Sequence, residues 1–465
     1  RQIGAVIVHP ANPNIVYEKE HPGTFTVDAS GQHFTMHRLV EGGDGTFGLE
    51  AVADDAPAPA AAAGAAVGFF TSYQKGGRFI SFYGDAHPVF AGNVVRAMAS
   101  ARLGHREITR LFAREVEAQQ LDEQAERENA WVRFAEVLED GLRASVVDAI
   151  RLGDRIVEVI ARAPLAARNF RPGQFYRLQN YEGSAEVVDG IRLTMEGVAL
   201  TGAWTDPARG LISLVVLEMG GSSRLCAILE PGEEIVLMGP TGSSTEIPEG
   251  ETVLLAGGGL GNAVLLSIAT AMKARHNRVV YFAGYKCAGD LFKRRVIEDA
   301  CDLVVWSVDE GPPIATHRPQ DRSVVGNIVT AMDRYAHGAL GEPPIPLAAV
   351  DRLVCIGSDV MMDAVRRART TVLAGVLRPG HVAVGSINSP MQCMMKEVCS
   401  QCLQRHVDPV TGRESLVFSC VNQDQSLDCV DFAFLHARLR QNSAAEKLTS
   451  LWLDHLFEQR EVQVV

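Results

Sequence analysis

Residues 252–272 read TVLLAGGGLGNAVLLSIATAM, a stretch of 21 residues without a charged side chain. A run of this length and apolarity is long enough to span a bilayer. Four glycines interrupt it, however, at positions 257, 258, 259 and 261. Glycines placed between two apolar runs are typical of a strand that turns directly into a helix. We therefore predict a buried strand, a glycine turn and a helix here, and no membrane span.

The surrounding segments extend this strand–turn–helix into a βαβ unit. The strand is predicted over 253–256, the helix over Ala263–Ala274 and the next strand over Arg278–Gly284. Further strands are predicted at Leu303–Ser307 and Leu353–Ile356, and a helix at Asp359–Thr371. Strands that alternate with helices indicate a parallel α/β domain, which we assign to residues 249–385.

The region before this domain has a β pattern. VVDAIRLGDRIVEVIARA, residues 146–163, alternates and has a turn signal at Gly153-Asp154. This is typical of a hairpin or a barrel. Strand-like segments follow at Gly173–Leu178, Ile212–Leu217 and Glu234–Leu237.

Two glycine turns are candidate phosphate sites. In the turn between strand and helix, Gly258, Gly259 and Gly261 would let the backbone approach a pyrophosphate at the helix N-terminus, although tight packing alone would also explain them. The second turn is Gly220-Gly221-Ser222-Ser223-Arg224, before the short apolar helix LCAIL. It would also suit a pyrophosphate, and the alternative there is an ordinary N-cap by Ser222 or Ser223.

A cysteine cluster lies near the end of the chain. Cys393, Cys399, Cys402 and Cys420 are separated by 5, 2 and 17 residues. This layout favours a plant-type 2Fe–2S centre, with one residue more than usual in the first gap. Structural zinc is the alternative, since four thiolates would also suit that metal. Cys429 is a spare thiol that could replace Cys420 as the fourth ligand.

The first 142 residues carry fewer signals. Short strands are predicted, among them Ile3–Val8, followed by an Ala/Pro-rich insertion over residues 55–67, a strand at Arg78–Tyr83 and a helix at Ala91–Ala101. Residues 105–142 are predicted to be a charged helical linker. Because the chain begins at Arg1 and not at Met, we expect a truncated or processed beginning.

Composition limits the function further. A chain of 465 residues should hold about three domains. Its net charge of −12 and the lack of a basic block argue against nucleic-acid binding. Nine cysteines, four of them clustered, indicate metal ligation in a reducing compartment, so we expect a cytoplasmic protein. We identify no signal peptide.

Several motifs occur in a fixed order and resemble the ferredoxin–NADP reductase superfamily. They are Arg171-Pro172-Gly173-Gln174-Phe175, Arg192-Leu193-Thr194, Gly220–Ser223, Gly239-Pro240-Thr241-Gly242, the glycine turn at 257–261, Asp309-Glu310-Gly311 and Cys355–Met362. With the four cysteines, the match covers about residues 143–435. It is similar to one branch in particular, the electron-transfer subunit of dihydroorotate dehydrogenase B and the small subunit of NADH-dependent ferredoxin–NADP oxidoreductase.

The resemblance implies three modules. These are an antiparallel FAD-binding β-barrel over 143–248, a parallel α/β NAD(P)-binding domain over 249–385 and a small 2Fe–2S module over 386–435, before a helical tail over 436–465. Gln174, Phe175 and Tyr176 would lie on a strand lining the flavin, and Thr194 near the isoalloxazine. The remaining implied contacts are Gly221, Ser222 and Ser223 with the FAD pyrophosphate, Gly258, Gly259 and Gly261 with NAD(P), Asp309, Gly311, Cys355 and Met361 beside the nicotinamide, and the four cysteines with iron.

This chain departs from the family pattern at three positions. Arg192 replaces a proline in an apolar Pro-Leu-Thr motif, and Val264 replaces a proline that often follows the nucleotide turn. Cys393 stands where one branch has an aspartate ligand, which would give an all-cysteine set.

The first 104 residues resemble the C-terminal end of the glutamate synthase small-subunit flavoprotein family. The resemblance rests on Asn12-Pro13-Asn14, the strand FISFYGD, His87-Pro88 and residues 91–95. It implies a partial α/β flavoprotein domain in which Asp85 contacts an FAD, with Asn93 and Val94 near the flavin. A scaffold remnant without cofactor is the alternative.

These features together predict an FAD-dependent NAD(P)H oxidoreductase of the electron-transfer type. Such work needs cofactor-binding residues and no general acid or nucleophile, so no catalytic residue is assigned. Its partner would be a protein electron acceptor or donor, or a missing N-terminal flavoprotein half. The rival hypotheses are a redox-sensing module with structural zinc and a non-catalytic assembly subunit. His87, His381 and His406 receive no role.

Overall fold

The structure is a computed structural model that describes residues 18, 22–28, 31, 33–52, 67–387 and 400–459. The side chains of Asp85 and Leu121 are outside this description. The chain divides between Ala135 and Glu136 into two compact units. The strand predicted at Ile3–Val8, the Asn12-Pro13-Asn14 motif, nearly all of the Ala/Pro-rich insertion, Cys393 and Cys399 lie outside the described residues.

The first unit contains a small antiparallel sheet. Its order is β2-β1-β3-β4, with β1 at His37–Glu41, β2 at Phe47–Ala51, β3 at Phe70–Lys75 and β4 at Arg78–Ser81. Helix α1 (Val94–Leu111) buries Ser100, Gly104 and Leu111. Gly104 is needed for close packing, since a Cβ there would collide with the rings of Phe69 and Tyr83.

The predicted charged linker is helical but not continuous. Helix α1 extends to Leu111, and α2 (Ala113–Glu117) and α3 (Gln124–Leu142) follow. Neither α2 nor α3 has a buried residue. Helices α2 and α3 are thus solvated, as their charge predicts, whereas residues 105–111 belong to α1, which buries Leu111.

The second unit begins with a closed six-stranded barrel of order β10-β11-β6-β5-β12-β7. Adjacent strands are antiparallel, and β5 and β6 form the hairpin predicted around Gly153-Asp154. The strands are β5 (Ala144–Gly153), β6 (Ile156–Arg162), β7 (Phe175–Asn180), β10 (Val198–Asp206), β11 (Leu211–Leu217) and β12 (Glu234–Thr241). Two short strands, β8 (Val187–Val188) and β9 (Ile191–Arg192), pair separately, and α4 (Pro164–Asn169) follows β6.

A seven-stranded sheet of order β16-β15-β14-β13-β17-β18-β21 follows. Its pairs are parallel except for β18 with β21, which is antiparallel. The strands are β13 (Thr252–Gly258), β14 (Arg278–Tyr285), β15 (Leu303–Val308), β16 (Arg322–Val325), β17 (Arg352–Ile356), β18 (Val382–Ser386) and β21 (Asp424–Ser426). The uncharged run at 252–272 is therefore a strand, a turn and a helix. Among the described residues, no helix combines the length and apolarity that a membrane span needs.

The helices of this unit flank the barrel, the sheet and the cysteine segment. They are α5 (Gly221–Leu225), α6 (Gly261–Ala274), α7 (Arg294–Asp299), α8 (Ile328–Ala336), α9 (Asp359–Thr370), α10 (Phe432–Leu439) and α11 (Ser443–Gln459). A hairpin of β19 (Leu403–Val407) and β20 (Glu414–Phe418) precedes β21. Strand β21 joins this cysteine segment to the large sheet.

A buried carboxylate fastens the barrel to the sheet domain. Glu158 on β6 is fully buried. It accepts hydrogen bonds from the Trp204 indole (3.0 Å) and the Ser213 hydroxyl (2.6 Å), and it pairs with Lys293 at 2.6 Å. Removing one partner of such a pair leaves an uncompensated buried charge, which typically costs about 3–5 kcal/mol. The pair therefore fixes the position of α7 against the barrel wall.

Candidate functional site

The GGSSR turn forms the start of α5. Both of its serine hydroxyls accept hydrogen bonds from backbone amides of the barrel domain. The Ser223 hydroxyl accepts hydrogen bonds from the Met219 and Gly220 amides, both at 3.0 Å. The Ser222 hydroxyl accepts one from the Glu196 amide at 2.9 Å. These hydroxyls shape the turn, although the N-cap of α5 is Gly220 and not Ser222 or Ser223 as the capping alternative predicted. An anion at this turn would therefore meet backbone N–H groups first.

The Ser222–Glu196 bond joins two predicted flavin sites. Thr194 is exposed, two residues before Glu196 in the loop after β9. The structure thus brings the Thr194 loop and the GGSSR turn together along one side of the barrel. Arg192, the departure from the family pattern, is turned to its own loop, where it donates to the carbonyls of Glu182 (3.0 Å) and Ala185 (3.2 Å).

The three predicted flavin-lining side chains lie at the start of β7: Gln174 directly precedes the strand, and Phe175 and Tyr176, both buried, are its first two residues. Successive side chains of a strand point to opposite faces. Tyr176 points into the barrel core, where it is fully buried and its hydroxyl donates to the Ala166 carbonyl at 3.1 Å. The Tyr176 side chain therefore faces the barrel core, and a flavin contact at Tyr176 stays a prediction. Gln174 bridges the Arg171 amide and the Gly242 carbonyl, each at 2.9 Å.

Arg177 is a candidate that sequence reasoning missed. It neighbours Tyr176 on β7 and so has the opposite orientation. Its Nε is buried without a hydrogen-bond partner among the described residues. Gly197 provides its space, because a Cβ at position 197 would collide with the guanidinium. The signal in the sequence was the alternation of FYRL, which places a cation on the outer face of the barrel.

The glycine turn at 257–261 is packed closely against residues of its own domain. A Cβ at Gly257 would collide with the Asn262 amide, one at Gly258 with the Met361 sulfur, and one at Gly261 with the Ile356 carbonyl. Packing therefore accounts for these three glycines. Gly259 differs: it has φ +54°, and the space around its would-be Cβ is open. This is the position where a ligand could approach the backbone.

Asn262 is a second residue that the sequence reasoning missed. It is fully buried, and its amide nitrogen donates to the carbonyls of Gly259 (3.0 Å) and Gly284 (3.1 Å). Its oxygen accepts from the Tyr281 hydroxyl at 3.1 Å. The side chain therefore ties the turn to β14 and holds its shape.

The predicted nicotinamide residues lie at the carboxyl edge of the parallel sheet, where open α/β sheets bind ligands. Met361 lies in the first turn of α9, next to Gly258. Asp309 and Gly311 follow β15, and Gly311 has φ +82° with open space around it. Cys355 differs, because its thiol is fully buried in the core and burial raises its pKa. A nucleotide role for Cys355 stays a prediction.

Two of the four predicted metal ligands are described, and they are neighbours. Cys402 and Cys420 flank the open end of the β19–β20 hairpin, where antiparallel pairing brings Leu403 opposite Phe418. The Cys420 amide donates to the Cys402 sulfur at 3.4 Å. Hydrogen bonding with Cys420 lowers the pKa of Cys402 to about 7. Such a thiol ionises readily, as a metal ligand must.

Cys429 lies at the other end of the same hairpin. Its carbonyl accepts from the Val407 amide at 2.8 Å. Val407 lies five residue steps beyond Cys402 along β19, a distance of roughly 16 Å. This arrangement favours Cys420 as the partner of Cys402. Within the described residues, no group of three or more His, Cys, Asp or Glu side chains could hold a metal ion.

One loop links the predicted flavin strand to the cysteine pair. Gln174 donates to the Gly242 carbonyl, and the next residue, Ser243, donates its amide to the Val421 carbonyl at 3.0 Å. Val421 directly follows Cys420. The loop after β12 therefore contacts the start of β7 on one side and the cysteine hairpin on the other.

In the first unit, the predicted flavin residues lie around the start of α1. Asn93 is the N-cap of α1 and accepts from the Arg96 amide at 3.0 Å. Val94 is exposed. His87 is fully buried: its Nε2 donates to the Gly68 carbonyl at 2.9 Å, its Nδ1 accepts from the Val89 amide, and burial lowers its pKa to about 4. His87 is therefore structural.

Comparison with known proteins gave the following similarities; no family model matches. The chain is 31% identical over 371 residues to an uncharacterized protein of Rickettsia prowazekii, covering 80% of this chain and 41% of that protein. It is 27% identical over 165 residues to the dihydroorotate dehydrogenase B electron-transfer subunit homolog of Thermotoga maritima, covering 35% of this chain and 55% of the relative. The chain thus spans about half, or less, of the length of these relatives.

Among solved structures, the chain is similar to one from the NADH-dependent reduced ferredoxin–NADP oxidoreductase. The TM-score is 0.52 at 22% identity, over 67% of this chain and 98% of the other. The second unit has the ferredoxin–NADP reductase-like fold. The closed barrel followed by a parallel nucleotide-type sheet confirms that part of the prediction.

This reductase-like unit has features that fit a dinucleotide flavin. At the GGSSR turn, the Gly221 amide is a backbone donor that the Glu446 carboxylate occupies in this structure. Arg177 offers a buried Nε without a hydrogen-bond partner among the described residues. The open position at Gly259, at the carboxyl edge of the sheet, fits a second nucleotide.

Proposed function

We propose that this chain is an FAD-dependent NAD(P)H oxidoreductase that passes electrons between a pyridine nucleotide, FAD and a 2Fe–2S cluster, to or from a protein partner. The observation that carries the proposal is the loop from Gly242 to Ser243. It joins the predicted flavin strand to the segment beside Cys420. Electron transfer needs its two centres close together, and this contact supports such an arrangement.

FAD and the cluster, when bound, would supply hydride acceptance and one-electron transfer. The protein's part is to bind and orient. Gly259 and the start of α6 would receive the nucleotide pyrophosphate, and the Met361 side chain would border its reactive end. Each NAD(P)H oxidised supplies two electrons and releases one proton, so two molecules of a one-electron acceptor are reduced. No side chain is needed as a nucleophile.

The cluster would be held by Cys393, Cys399, Cys402 and Cys420. The proximity of Cys402 and Cys420, and the lowered pKa of Cys402, support the two described ligands. The similarity to relatives named dihydroorotate dehydrogenase B electron-transfer subunits supports this proposal for the present chain. The proposed setting is the cytoplasm.

The test is to produce the chain anaerobically with ample iron and to measure iron, zinc and flavin together with the visible spectrum. We expect FAD, two irons per chain, and dye reduction driven by NADH or NADPH; assaying both nucleotides separately identifies the donor. A colourless protein, or one containing only zinc, contradicts the proposal.

Three cysteine variants sharpen the test. Cys402→Ser should lose iron and one-electron acceptor reduction while keeping FAD. Cys429→Ser is the matched control, because Cys429 lies at the other end of the hairpin, and it should keep both. Loss of iron in Cys429→Ser with retention in Cys420→Ser would reassign the fourth ligand.

The rival function is a redox-sensing or assembly subunit with zinc at the cysteines. The same hairpin geometry would suit zinc, which gives no absorption beyond that of the flavin. The metal analysis separates the two. For the first unit we propose a partial flavoprotein domain that is completed by sequence or a partner outside this chain. Asp85, Asn93 and Val94 would then be its flavin contacts.

A further inference from the structure

The GGSSR turn is covered by the chain's own last helix. The Glu446 carboxylate on α11 accepts a hydrogen bond from the Gly221 amide at 3.0 Å. The two glycines make this approach possible: a Cβ at Gly220 would collide with the Glu446 carboxylate, and one at Gly221 with the Thr449 methyl. A carboxylate therefore lies where the proposed FAD would place a phosphate.

Further contacts fasten α11 to the turn. Arg224 donates to the Ser450 carbonyl at 2.6 Å and pairs with Asp454 at 2.5 Å. Its guanidinium also lies 5.4 Å from the Phe457 ring centre. The cation of the turn is thus engaged by α11 as well. Arg224 is partly buried by these contacts, with 18% of its side chain exposed, which leaves little of it accessible to a second anion.

Apolar side chains of α11 also pack against the barrel. Leu453 and Leu456 are buried in the barrel core cluster, and Phe457 packs at its edge. The opposite face of α11 is exposed at Leu448, Leu451 and Trp452. Only one face of α11 therefore contacts the barrel domain. Its main contacts are the two buried leucines, the Arg224–Asp454 ion pair and the Glu446 carboxylate.

We propose that α11 is an intrachain competitor for the FAD pyrophosphate. This inference rests on the proposed FAD function. Glu446 and a phosphate oxygen are both anionic acceptors, and the Gly221 amide has one hydrogen to donate, so the two exclude each other. FAD binding requires at least the first turns of α11 to move away from the GGSSR turn. That movement also releases Arg224 from Ser450 and Asp454.

The competition makes the tail a control on flavin occupancy. When α11 lies on the GGSSR turn, Glu446 occupies the Gly221 amide, and the turn is not accessible to another anion. With FAD bound, the residues from Ser443 onward are displaced and Leu453 and Leu456 lose part of their cover. A partner that held the displaced helix would therefore favour the flavin-loaded form by mass action.

The experiment uses the full chain freed of flavin, with Glu446→Ala and a matched control, Glu458→Ala. Glu458 is an exposed glutamate near the other end of α11. The dissociation constant for FAD is measured by quenching of flavin fluorescence, and amide hydrogen exchange is followed over residues 443–459. We expect Glu446→Ala to bind FAD about fivefold to tenfold more tightly, the effect of one charge-assisted hydrogen bond, and Glu458→Ala to match the parent. FAD should accelerate exchange in α11.

Other outcomes separate the two proposals. If FAD binds the parent and Glu446→Ala equally well and exchange in α11 is unchanged, the competition is wrong and the oxidoreductase proposal stands. A third variant ends at Asn442 and so lacks α11; its circular dichroism must show an intact barrel. If this variant, the parent and Glu446→Ala all fail to bind FAD, the FAD proposal is wrong, and the competition proposal is wrong with it.

Discussion

The two glycine turns of the second unit look alike in sequence and differ in what fills them. The turn at 257–261 is filled by side chains and backbone of the same domain, namely Asn262, Met361 and Ile356. The GGSSR turn is filled by Glu446 and Thr449, which lie on a helix more than 200 residues later. One turn is part of a core, whereas the other is a docking surface.

This difference shows that a glycine-rich turn does not by itself identify a nucleotide site. Where a Cβ would strike backbone, the glycine is required for folding regardless of any ligand. Where a Cβ would strike only the end of a side chain on a helix that can move away, the glycine leaves a space that another group can occupy. The two kinds of glycine therefore predict different mutational effects.

The largest effect is expected for Gly261→Ala. Its Cβ would strike the Ile356 carbonyl and the Gly357 amide nitrogen, both backbone atoms that cannot rotate away. We expect a loss of about 3 kcal/mol or more in the free energy of unfolding, measured by urea denaturation. Gly289→Ala is the control, because its Cβ would meet only the Cys287 sulfur at 3.8 Å, and it should be nearly neutral. Equal stability of the two variants would refute the packing role of Gly261.

Asn262→Ala should have the next largest effect. It removes one hydrogen bond within the turn, to the Gly259 carbonyl, and one to the Gly284 carbonyl of β14, and it leaves the buried Tyr281 hydroxyl without its closest acceptor. We expect a loss of about 2 kcal/mol in the free energy of unfolding, with faster amide exchange at Gly259. Unchanged exchange at the turn would show that Asn262 does not hold its shape.

Gly258→Ala offers a double-mutant test of the same turn. Its Cβ would strike the Met361 sulfur, at the end of a flexible side chain, so we expect a loss of about 1–2 kcal/mol. Met361→Ala removes the obstacle. The double variant should be more stable than the sum of the single effects by about 1 kcal/mol, measured by the same denaturation. Strict additivity would mean that Met361 does not fill the space above Gly258.

Gly221→Ala should have the smallest effect on stability. Its Cβ would strike the Thr449 methyl, and α11 can shift. We expect the free energy of unfolding to change by less than about 0.5 kcal/mol, while amide exchange in α11 accelerates. If Gly221→Ala lowered the free energy of unfolding as much as Gly261→Ala, the proposed difference between the two turns would be wrong.

The sequence predicted the elements of the second unit well, because their patterns are local. The hairpin around Gly153-Asp154, the strand–turn–helix at 252–274 and the order of barrel and parallel sheet are as expected. The boundaries of elements moved by a few residues; the strand before the Gly84-Asp85 turn ends at Ser81, and α1 extends to Leu111.

The side chains of the site were harder to predict. Tyr176 points into the barrel, and Arg177 points out, because the register of β7 decides which alternate residue is buried. Asn262 has no motif that marks it, since its role depends on the carbonyls of Gly259 and Gly284. The contact between Glu446 and Gly221 joins residues 225 positions apart. No local pattern contains such a pair.

The sequence alone determined where the strands, the helices, the glycine turns and the cysteines lie, because propensity and periodicity act over a few neighbouring residues. Tertiary structure decided which glycines are held by packing, which thiols are adjacent, and that the last helix lies on the GGSSR turn. These outcomes depend on distances between segments that are far apart in the chain. Only the folded arrangement of the barrel, the sheet and α11 fixes those distances.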